Sequence, residues 1–246
     1  RSPPAHAGVR GAGSPPTRHP PSRRLSSAAM TDLSGRTIAI TGASSGIGAA
    51  TAEACARAGM DVVLAARRAE RLEAVAERVR GTGRRAKLVV GDVTDPATDE
   101  ALLAAAAALP GGLDAVFANA GFGLDRDLLD TDLGQVHELF ATNVFAAHRL
   151  LRAAATQLHA GGRRGHLLSC SSCLARFTMP GSAAYAASKA AQASLATGLR
   201  LELRGTRIAV SSVHPVTTRT EFFDVAAAGG PGVDRLRGPA RWLAQP

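Results

Sequence analysis

Short apolar runs alternate with longer stretches of helical periodicity from residue 36 onward. The runs are apolar almost throughout and rich in β-branched residues, which is typical of strands buried on both faces. Six strands are predicted, at Thr37–Thr41, Asp61–Ala66, Ala86–Val90, Leu113–Ala118, Gly165–Ser171 and Arg207–Val213. Helical segments are predicted between them, at residues 46–58, 68–80, 96–108, 132–160 and 182–203. Strands separated by helices predict a parallel sheet covered by helices on both sides.

Because crossovers between parallel strands are right-handed, this alternation favours a doubly wound α/β sheet of the Rossmann type. A chain of 246 residues is long enough for one such domain, predicted over residues 34–246. Residues 1–33 are rich in Pro and Arg and are predicted to be a disordered tail. The tail is weakly similar to an organelle transit peptide, but Met30 as the true start is the simpler interpretation.

The net charge of +9 does not indicate a nucleic-acid-binding protein. Five of these charges come from arginines in residues 1–30, a segment without any acidic residue. The remaining arginines are scattered beside Glu and Asp on predicted helices, which is typical of solvated faces. No apolar run approaches the roughly 20 residues of a membrane span. We therefore expect a soluble, cytoplasmic protein without a nucleic-acid or membrane partner.

The three cysteines do not suggest a disulfide framework. Cys170 and Cys173 have the spacing of a metal-ligand or redox pair, but no second Cys or His pair accompanies them. The alternative, which we favour, is that they are small residues closing a buried strand. No metal site is predicted.

A glycine-rich segment follows the first predicted strand and opens the first predicted helix. Glycine permits a tight turn and a close approach of the backbone to a pyrophosphate, and the helix N-terminus offers free N–H groups to the phosphates. The position between a strand and a helix makes the motif informative for dinucleotide binding. The predicted contacts are Thr41, Gly42, Ser44, Ser45, Gly46, Ile47 and Gly48.

The end of the second predicted strand bears on the choice of dinucleotide. An NAD-binding protein typically has an acidic residue there for the ribose 2′-hydroxyl. This chain has Ala66 followed by Arg67 and Arg68, and guanidinium groups pair well with a 2′-phosphate. The two arginines therefore favour NADP, although they are also compatible with the start of a solvated helix.

Rare residue types concentrate in the predicted active site. The chain has one tyrosine, Tyr185, two lysines, Lys87 and Lys189, and two asparagines, Asn119 and Asn143. Tyr185 and Lys189 are four residues apart and share one face of the predicted helix. A nearby ammonium favours the phenolate, so we expect Lys189 to lower the pKa of Tyr185 toward neutrality.

Together these motifs resemble the main, compact branch of the short-chain dehydrogenase/reductase family, over about residues 35–222. The branch carries the threonine–glycine turn described above and an Asn-Ala-Gly triplet after the fourth strand. Its active site is a set of Asn, Ser, Tyr and Lys. The matching residues are Asn119, Ala120 and Gly121 for the triplet, and Asn143, Ser172, Tyr185 and Lys189 for the active site.

The resemblance implies a role for each of these residues. Tyr185 would be the general acid/base, Ser172 would orient the carbonyl, and Lys189 would bind the nicotinamide ribose. Asn143 would help carry a water-linked proton relay, or would instead stabilise a helix kink. Asp92 and Val93 match the family's adenine contact, although Asp92 is also a plausible turn former. Asn119 is expected to brace the strands near the cofactor.

The chain departs from the family pattern after the sixth predicted strand. Val216 stands where the family usually has glycine, and Thr218 and Thr220 are the remaining candidates for cofactor contacts there. Family members typically continue with a lid and a seventh strand, whereas 26 residues follow Thr220 here. A truncated C-terminus or a missing edge strand would explain the difference. The resemblance implies a homodimer or a homotetramer.

We therefore predict an NADP(H)-dependent oxidoreductase that acts on a small carbonyl or alcohol. A non-catalytic nucleotide-binding sensor or scaffold of the same fold is the alternative from another class, and the complete active-site set counts against it. The larger epimerase/dehydratase branch is a third possibility, disfavoured by the glycine spacing and the short length. Substrate specificity is expected in three loops whose phenylalanines favour an apolar substrate, at Phe122–Asp127, Leu174–Pro180 and Glu221–Gly232.

Overall fold

A computed structural model of the chain describes residues 33–216. The strands are β1 (Thr37–Thr41), β2 (Asp61–Ala66), β3 (Ala86–Val90), β4 (Ala115–Ala118), β5 (Gly165–Cys170) and β6 (Ile208–Val213). The α-helices are α1 (Gly46–Arg57), α2 (Ala69–Arg80), α3 (Pro96–Ala107), α4 (Leu133–Phe140), α5 (Ala147–Ala160) and α6 (Ala183–Glu202). Residues 1–32 of the predicted tail and the residues after Val216, including Thr218, Thr220 and the predicted loop 221–232, lie outside the described residues.

All six strands pair in parallel, in the order β3-β2-β1-β4-β5-β6. The chain winds outward from β1 to β3 and then returns to add β4, β5 and β6 on the other side of β1. This is the predicted doubly wound arrangement, and it is confirmed. The order of the strands reverses between β1 and β4. Ligands of such sheets bind at this point, outside the carboxyl ends of the strands.

The alternation of side chains along β1 and β2 explains why helices cover both faces. Ile38 and Ile40 point to one face, where they pack with residues of α1 and α2. Ala39 and Val63 point to the other face and pack with residues of α3, α5 and α6. Because both faces are dry, these strands are apolar almost without interruption. These two clusters of buried apolar side chains, one on each face, stabilise the sheet whose strand ends carry the functional loops.

The predicted helix over residues 132–160 is wrong in one respect, because it is not a continuous α-helix. A π-helical segment, Ala141–Ala146, separates α4 from α5. Asn143 lies in this segment with no exposed surface, and its side chain hydrogen-bonds to groups outside the helix. Such π-bulges are frequent at functional sites. Helical periodicity alone does not distinguish the wider turn from an ordinary one.

The remaining differences from the predicted elements are confined to their ends. β4 begins at Ala115 instead of Leu113, and the Asp114 carboxylate before it accepts a hydrogen bond from the Thr37 amide at 2.9 Å. Predicted helices include residues such as Ala58 and Ser182, which are caps in the structure. No helix within residues 33–216 is long and apolar enough to cross a membrane.

Candidate active site

The predicted catalytic residues and the glycine turn lie at the carboxyl ends of three neighbouring strands, and the predicted adenine and 2′-phosphate contacts follow β2 and β3. β1 leads into Gly42, β4 leads into Asn119, and β5 leads into Ser171 and Ser172. α6 packs against the segment after β5 and brings Tyr185 to the same edge. The sheet order places these strand ends side by side at the point where the winding reverses. The edge of the sheet where the sequence predicts a dinucleotide therefore also carries the predicted catalytic residues.

The turn after β1 depends on glycine at two positions. Gly42 has a φ of +63°, a left-handed conformation that disfavours other residues. Gly48, in the first turn of α1, lies so close to the turn that an added Cβ would meet the Gly42 carbonyl oxygen and would lie 2.7 Å from Asn119 Nδ2. The backbones of the turn and of α1 can therefore approach this closely only because Gly42 and Gly48 have no side chains.

The N-terminus of α1 is accompanied by a positively charged group. Ser45 is the N-cap residue, but its hydroxyl makes no capping hydrogen bond to the helix. Instead, Arg68 Nη2 donates to Ser45 Oγ at 2.8 Å and to Ser44 Oγ at 3.2 Å. Uncapped N–H groups, two hydroxyls and a guanidinium thus share one location. This combination is well suited to an anion such as a phosphate.

Arg67 and Arg68 point to different partners. Arg67 Nη1 lies 3.4 Å from Asp92 Oδ2 in an exposed ion pair. Asp92 Oδ1 also accepts hydrogen bonds from the Thr94 amide and hydroxyl, at 2.9 and 2.8 Å. The Thr94 amide contributes most to lowering the pKa of Asp92 below its usual value, with smaller contributions from the Thr94 hydroxyl and Arg67. Asp92 therefore forms a local turn and also anchors Arg67.

Asn119 fastens β4 to the glycine turn. Its Nδ2 donates to Thr41 O at 3.0 Å and to Gly42 O at 3.3 Å. The hydroxyl of Thr41 in turn accepts from the main-chain amides of Asn119 and Ala120, each at 3.1 Å. The Asn-Ala-Gly segment and the glycine turn therefore hold each other in place. Next to them, Ile47 packs against the core.

Ser172 and Tyr185 meet at the end of β5. Both residues are buried, and the Ser172 side chain lies close enough to the phenol to lower the pKa of Tyr185. Ser172 Oγ also accepts from the Leu174 amide at 3.1 Å, and Ser172 O contacts His214 Nδ1 at 3.0 Å. The hydroxyl of Ser172 is thus held by main-chain and side-chain groups. A serine hydroxyl and a phenol held side by side can both donate a hydrogen bond to the same carbonyl oxygen.

Lys189 lies one helical turn after Tyr185 and is only 3% exposed. Its Nζ donates to Cys170 O and to Gln192 Oε1, both at 2.8 Å. The distance from Nζ to the centre of the Tyr185 ring is 5.7 Å. Nζ also borders Gly121, where an added Cβ would lie 3.3 Å away. The ammonium is therefore buried between β5, α6 and the segment after β4.

The expected lowering of the pKa of Tyr185 by Lys189 is wrong for this structure. Burial raises the pKa of Tyr185 to about 12, and the interaction with the Ser172 side chain opposes the rise only in part. Burial also lowers the pKa of Lys189 to about 8. The two hydrogen bonds of Lys189 go to Cys170 and Gln192, and neither goes to the phenol. At neutral pH the site therefore combines a neutral phenol with an ammonium.

The single tyrosine of the chain allows this pKa to be measured directly. We expect ultraviolet absorbance to show little phenolate in the folded protein at pH 10, where a free tyrosine is about half ionised. The chain unfolded in urea is the control and is expected to titrate near the ordinary value. Half-ionisation of the folded protein below pH 9 would contradict the dominant effect of burial.

The side chain of Asn143 hydrogen-bonds to the start of the loop that follows Gly121. Its Nδ2 donates to Phe122 O at 3.0 Å and to Ser188 Oγ at 3.1 Å, and its Oδ1 accepts from Phe122 N at 3.0 Å. Ser188 Oγ donates to Tyr185 O at 2.7 Å. The side chain of Asn143 is thus fully engaged with the protein, and it connects the π-helical segment to the helix that carries Tyr185.

The other predicted candidates are also located by the structure. Cys55, Cys170 and Cys173 are free, and residues 33–216 contain no group of three or more His, Cys, Asp or Glu that could hold a metal ion. Cys170 ends β5 and is buried, with a thiol pKa that burial raises. Val93 O accepts from Arg149 Nη2 at 2.5 Å. The segment of Asp92 and Val93 is therefore tied to α5.

Sequence reasoning missed three residues that support the site. Arg149 holds the segment after β3, His214 contacts the carbonyl of Ser172, and Gln192 accepts from Lys189. Gln192 carried a usable signal, because it lies seven residues after Tyr185 and three after Lys189. A polar residue on the same helical face as a predicted buried pair requires a partner.

The chain matches known proteins over most of its length. A family model described as short chain dehydrogenase matches residues 36–229. An uncharacterized oxidoreductase of Mycobacterium tuberculosis is 37% identical over 212 residues, which is 85% of this chain and 78% of the relative.

Solved structures agree with this match. A metagenomic short-chain oxidoreductase in complex with NADP has a TM-score of 0.70 at 35% identity, over 76% of this chain and 84% of the other. A short chain dehydrogenase/reductase from Burkholderia phymatum in complex with NAD has a TM-score of 0.76 at 29% identity, over 85% of this chain and 72% of the other. The fold, the ordered motifs and these matches lead to one conclusion: the chain is an oxidoreductase of the short-chain dehydrogenase/reductase family.

Proposed function

We propose that the protein is an NADP(H)-dependent oxidoreductase that transfers hydride between the nicotinamide and a carbonyl or alcohol substrate. The observation that carries the proposal is the buried pair of Ser172 and Tyr185 at the end of β5, with the ammonium of Lys189 one helical turn away. These groups lie at the edge of the sheet where the glycine turn and α1 present an anion site. Proton transfer and dinucleotide binding are thereby brought to one cleft.

The residues around the glycine turn fit a dinucleotide. Gly42 and Gly48 leave the backbone open to close approach, and the start of α1 has no side-chain cap. The pyrophosphate would be held by the N–H groups of this turn, and the adenine would lie near Asp92 and Val93. The nicotinamide ribose would contact Tyr185 and Lys189. When bound, the cofactor supplies or accepts the hydride.

Tyr185 would supply the proton in the direction of reduction. Because burial keeps its phenol neutral at neutral pH, the hydroxyl is in the form that donates to a carbonyl oxygen. Ser172 would donate a second hydrogen bond to the same oxygen. The nearby ammonium of Lys189 would stabilise the phenolate that remains after the proton has moved. In oxidation the same groups would act in reverse, with the phenolate accepting the proton of the alcohol.

Asn143 would act as a positioning residue whose side chain does not contact the substrate. Its hydrogen bonds hold the main chain of Phe122, at the start of a predicted substrate loop, and the hydroxyl of Ser188. Its place in the π-helical segment is consistent with the position of the water-linked relay that the family resemblance implies. Loss of the side chain would displace both the loop and α6.

An apolar substrate is favoured by the surroundings of Tyr185. The tyrosine packs with Leu124 and Leu139 in a small apolar cluster. Partly buried apolar side chains border this cluster on the predicted substrate loops and neighbouring helices: Phe122, Val136, Leu174 and Ala184. Such a lining would bind hydrocarbon next to the reacting oxygen.

The preference for NADP would rest chiefly on Arg68. Its guanidinium lies against Ser44 and Ser45, whereas Arg67 is paired with the carboxylate of Asp92. A 2′-phosphate near Ser44 would therefore meet Arg68 and both hydroxyls. Arg67 would add a second positive charge at the rim of the site.

We expect Arg68→Ala to weaken NADPH binding by about 10- to 100-fold, the usual cost of losing a hydrogen bond to a charged group. NADH has no 2′-phosphate, so its affinity is expected to change little. Titration of both cofactors, followed by their fluorescence, measures the difference. Arg80→Ala is a matched control, because Arg80 lies at the other end of α2 and pairs with Glu73. Equal weakening of NADPH and NADH would contradict the assignment.

A further inference from the structure

Lys189 is held by two oxygen atoms of the protein. Its Nζ donates to the main-chain oxygen of Cys170 and to the side-chain oxygen Oε1 of Gln192, each at 2.8 Å. An ammonium has three N–H donors, so these contacts occupy two of them. One donor remains for the side of the cleft, where Gly121 borders Nζ. The direction of this third donor is therefore set by the two oxygens.

Gln192 is placed by the same contact. It is 2% exposed, and its amide can present either an oxygen or a nitrogen to Lys189. Because the ammonium only donates, the oxygen must face it and the nitrogen must point away. Nε2 has no hydrogen-bond partner among the described residues. A buried glutamine with one orphaned group is costly, and the contact with a charged group is what offsets that cost.

Gln192 lines a small cavity between α5, α6 and β5. The cavity has a volume of about 10 Å³, and its polar lining comes from Gln192, His148 and Ser169. Within the described chain, His148 Nδ1 also has no hydrogen-bond partner. The size of the cavity is close to the minimum for one water molecule, about 10–15 Å³. The cavity therefore offers room for a water molecule beside Gln192, whose Nε2 does not contact Lys189.

The other groups near the ammonium do not offset its burial with a full negative charge at neutral pH. Tyr185 on α6 and Cys170 on β5 face it, and burial raises the pKa of both groups, which keeps them neutral. His148 on α5 borders the cavity that Gln192 also lines. Burial lowers the pKa of Lys189 itself to about 8. The two neutral oxygen acceptors, Cys170 O and Gln192 Oε1, therefore set the fraction of Lys189 that stays protonated at neutral pH.

We propose that Gln192 is a positioning residue that keeps Lys189 charged and aims its remaining N–H group into the cleft. The contact between the two residues stands on the geometry alone, whereas its catalytic consequence rests on the proposed function. Gln192 itself touches neither substrate nor cofactor in this assignment. Its effect reaches the reaction through the charge and the orientation of Lys189.

The small number of lysines permits a direct test. The chain contains two, Lys87 and Lys189, so protein grown with lysine labelled with carbon-13 at Cε gives two lysine signals. The variant Lys87→Arg leaves only the signal of Lys189 and assigns it. Titration of that signal by nuclear magnetic resonance then reports the pKa of Lys189 without any need for turnover.

We expect Gln192→Met to lower the pKa of Lys189 by about one to two pH units, because methionine fills similar space without the oxygen acceptor. Gln192→Glu keeps an oxygen and adds negative charge, so it is expected to raise the pKa. The titrations are repeated in a His148→Asn background to remove any contribution of the imidazole. If the Lys189 signal titrates as in the unchanged protein in both variants, the proposal is wrong. If Gln192→Met does not fold, the result for Gln192→Glu decides.

Measurements of turnover distinguish a failure of this proposal from a failure of the proposed function. With a reducible carbonyl substrate, the fall of kcat at alkaline pH is expected to move with the pKa of Lys189 in each variant. A shifted Lys189 signal with an unchanged pH profile would support the contact and contradict the role of Lys189 in catalysis. An active protein whose Lys189 signal does not respond to either substitution would retain the proposed function and exclude Gln192 from it.

Discussion

Replacing Tyr185 with phenylalanine is expected to abolish measurable reduction of a carbonyl substrate, while NADPH binds nearly as well as before. The substitution removes one hydroxyl and keeps the ring that packs with Leu124 and Leu139. General acid catalysis contributes about 10²- to 10⁴-fold to such reactions, so kcat should fall within that range or further. The measurement is the rate of NADPH oxidation, together with a fluorescence titration of the cofactor.

Two comparisons make this result specific. Ser172→Ala removes the hydroxyl beside Tyr185 and is expected to lower kcat less severely, because the proton donor remains. The thermal unfolding midpoint of each variant shows whether the fold has been kept. Turnover of the Tyr185→Phe variant at the unchanged rate would refute the acid/base role and move the non-catalytic alternative ahead.

Gly48→Ala is expected to weaken the binding of both NADPH and NADH. The added methyl group would collide with the carbonyl of Gly42 and approach Asn119 Nδ2 to 2.7 Å, so the turn or the helix must shift. Overpacking of this kind costs about 1–3 kcal/mol, which corresponds to about 10- to 100-fold in affinity if the strain falls on the binding turn. Isothermal titration with each cofactor measures the loss.

The matched control is Gly198→Ala in α6. Gly198 is also a helical glycine, but an added Cβ would find its nearest neighbour, a side-chain oxygen of Glu202, 4.0 Å away. Alanine is favoured over glycine inside a helix by up to about 1 kcal/mol, so this variant should bind both cofactors normally and unfold at a higher temperature. Unchanged cofactor affinity in Gly48→Ala would contradict the importance of the close approach.

The predicted strands agree with the structure because of the sheet's architecture. In the central strands, which are covered on both faces, almost every position is buried, so β2 appears in the sequence as an apolar run from Val62 to Ala66 after the buried Asp61. The exposed Arg67 marks its C-terminal end. Helix ends are less sharply defined, because cap residues such as Ala58 and Ser182 resemble helical residues in the sequence.

The π-helical segment could not be predicted in the same way. Residues 132–160 keep an apolar face throughout, and one wider turn changes that pattern too little to detect. The interruption is accompanied by three hydrogen bonds of Asn143, two to Phe122 and one to Ser188, which lie 21 and 45 residues away in the sequence. Contacts at such separations are properties of the assembled domain.

By itself the sequence determined the parallel sheet, the glycine turn and the identity of the residues that meet at the cleft. These follow from local chemistry: apolar runs, glycines at fixed spacing, and one Tyr four residues before a Lys. Only the tertiary structure decided the protonation states and the hydrogen-bond partners of those residues. Burial makes Tyr185 a neutral phenol, Gln192 and Cys170 take two of the donors of Lys189, and Arg68 lies against Ser44 and Ser45 while Arg67 pairs with Asp92. Desolvation and the choice among competing partners depend on every element packed around a group, and no spacing along the chain encodes them.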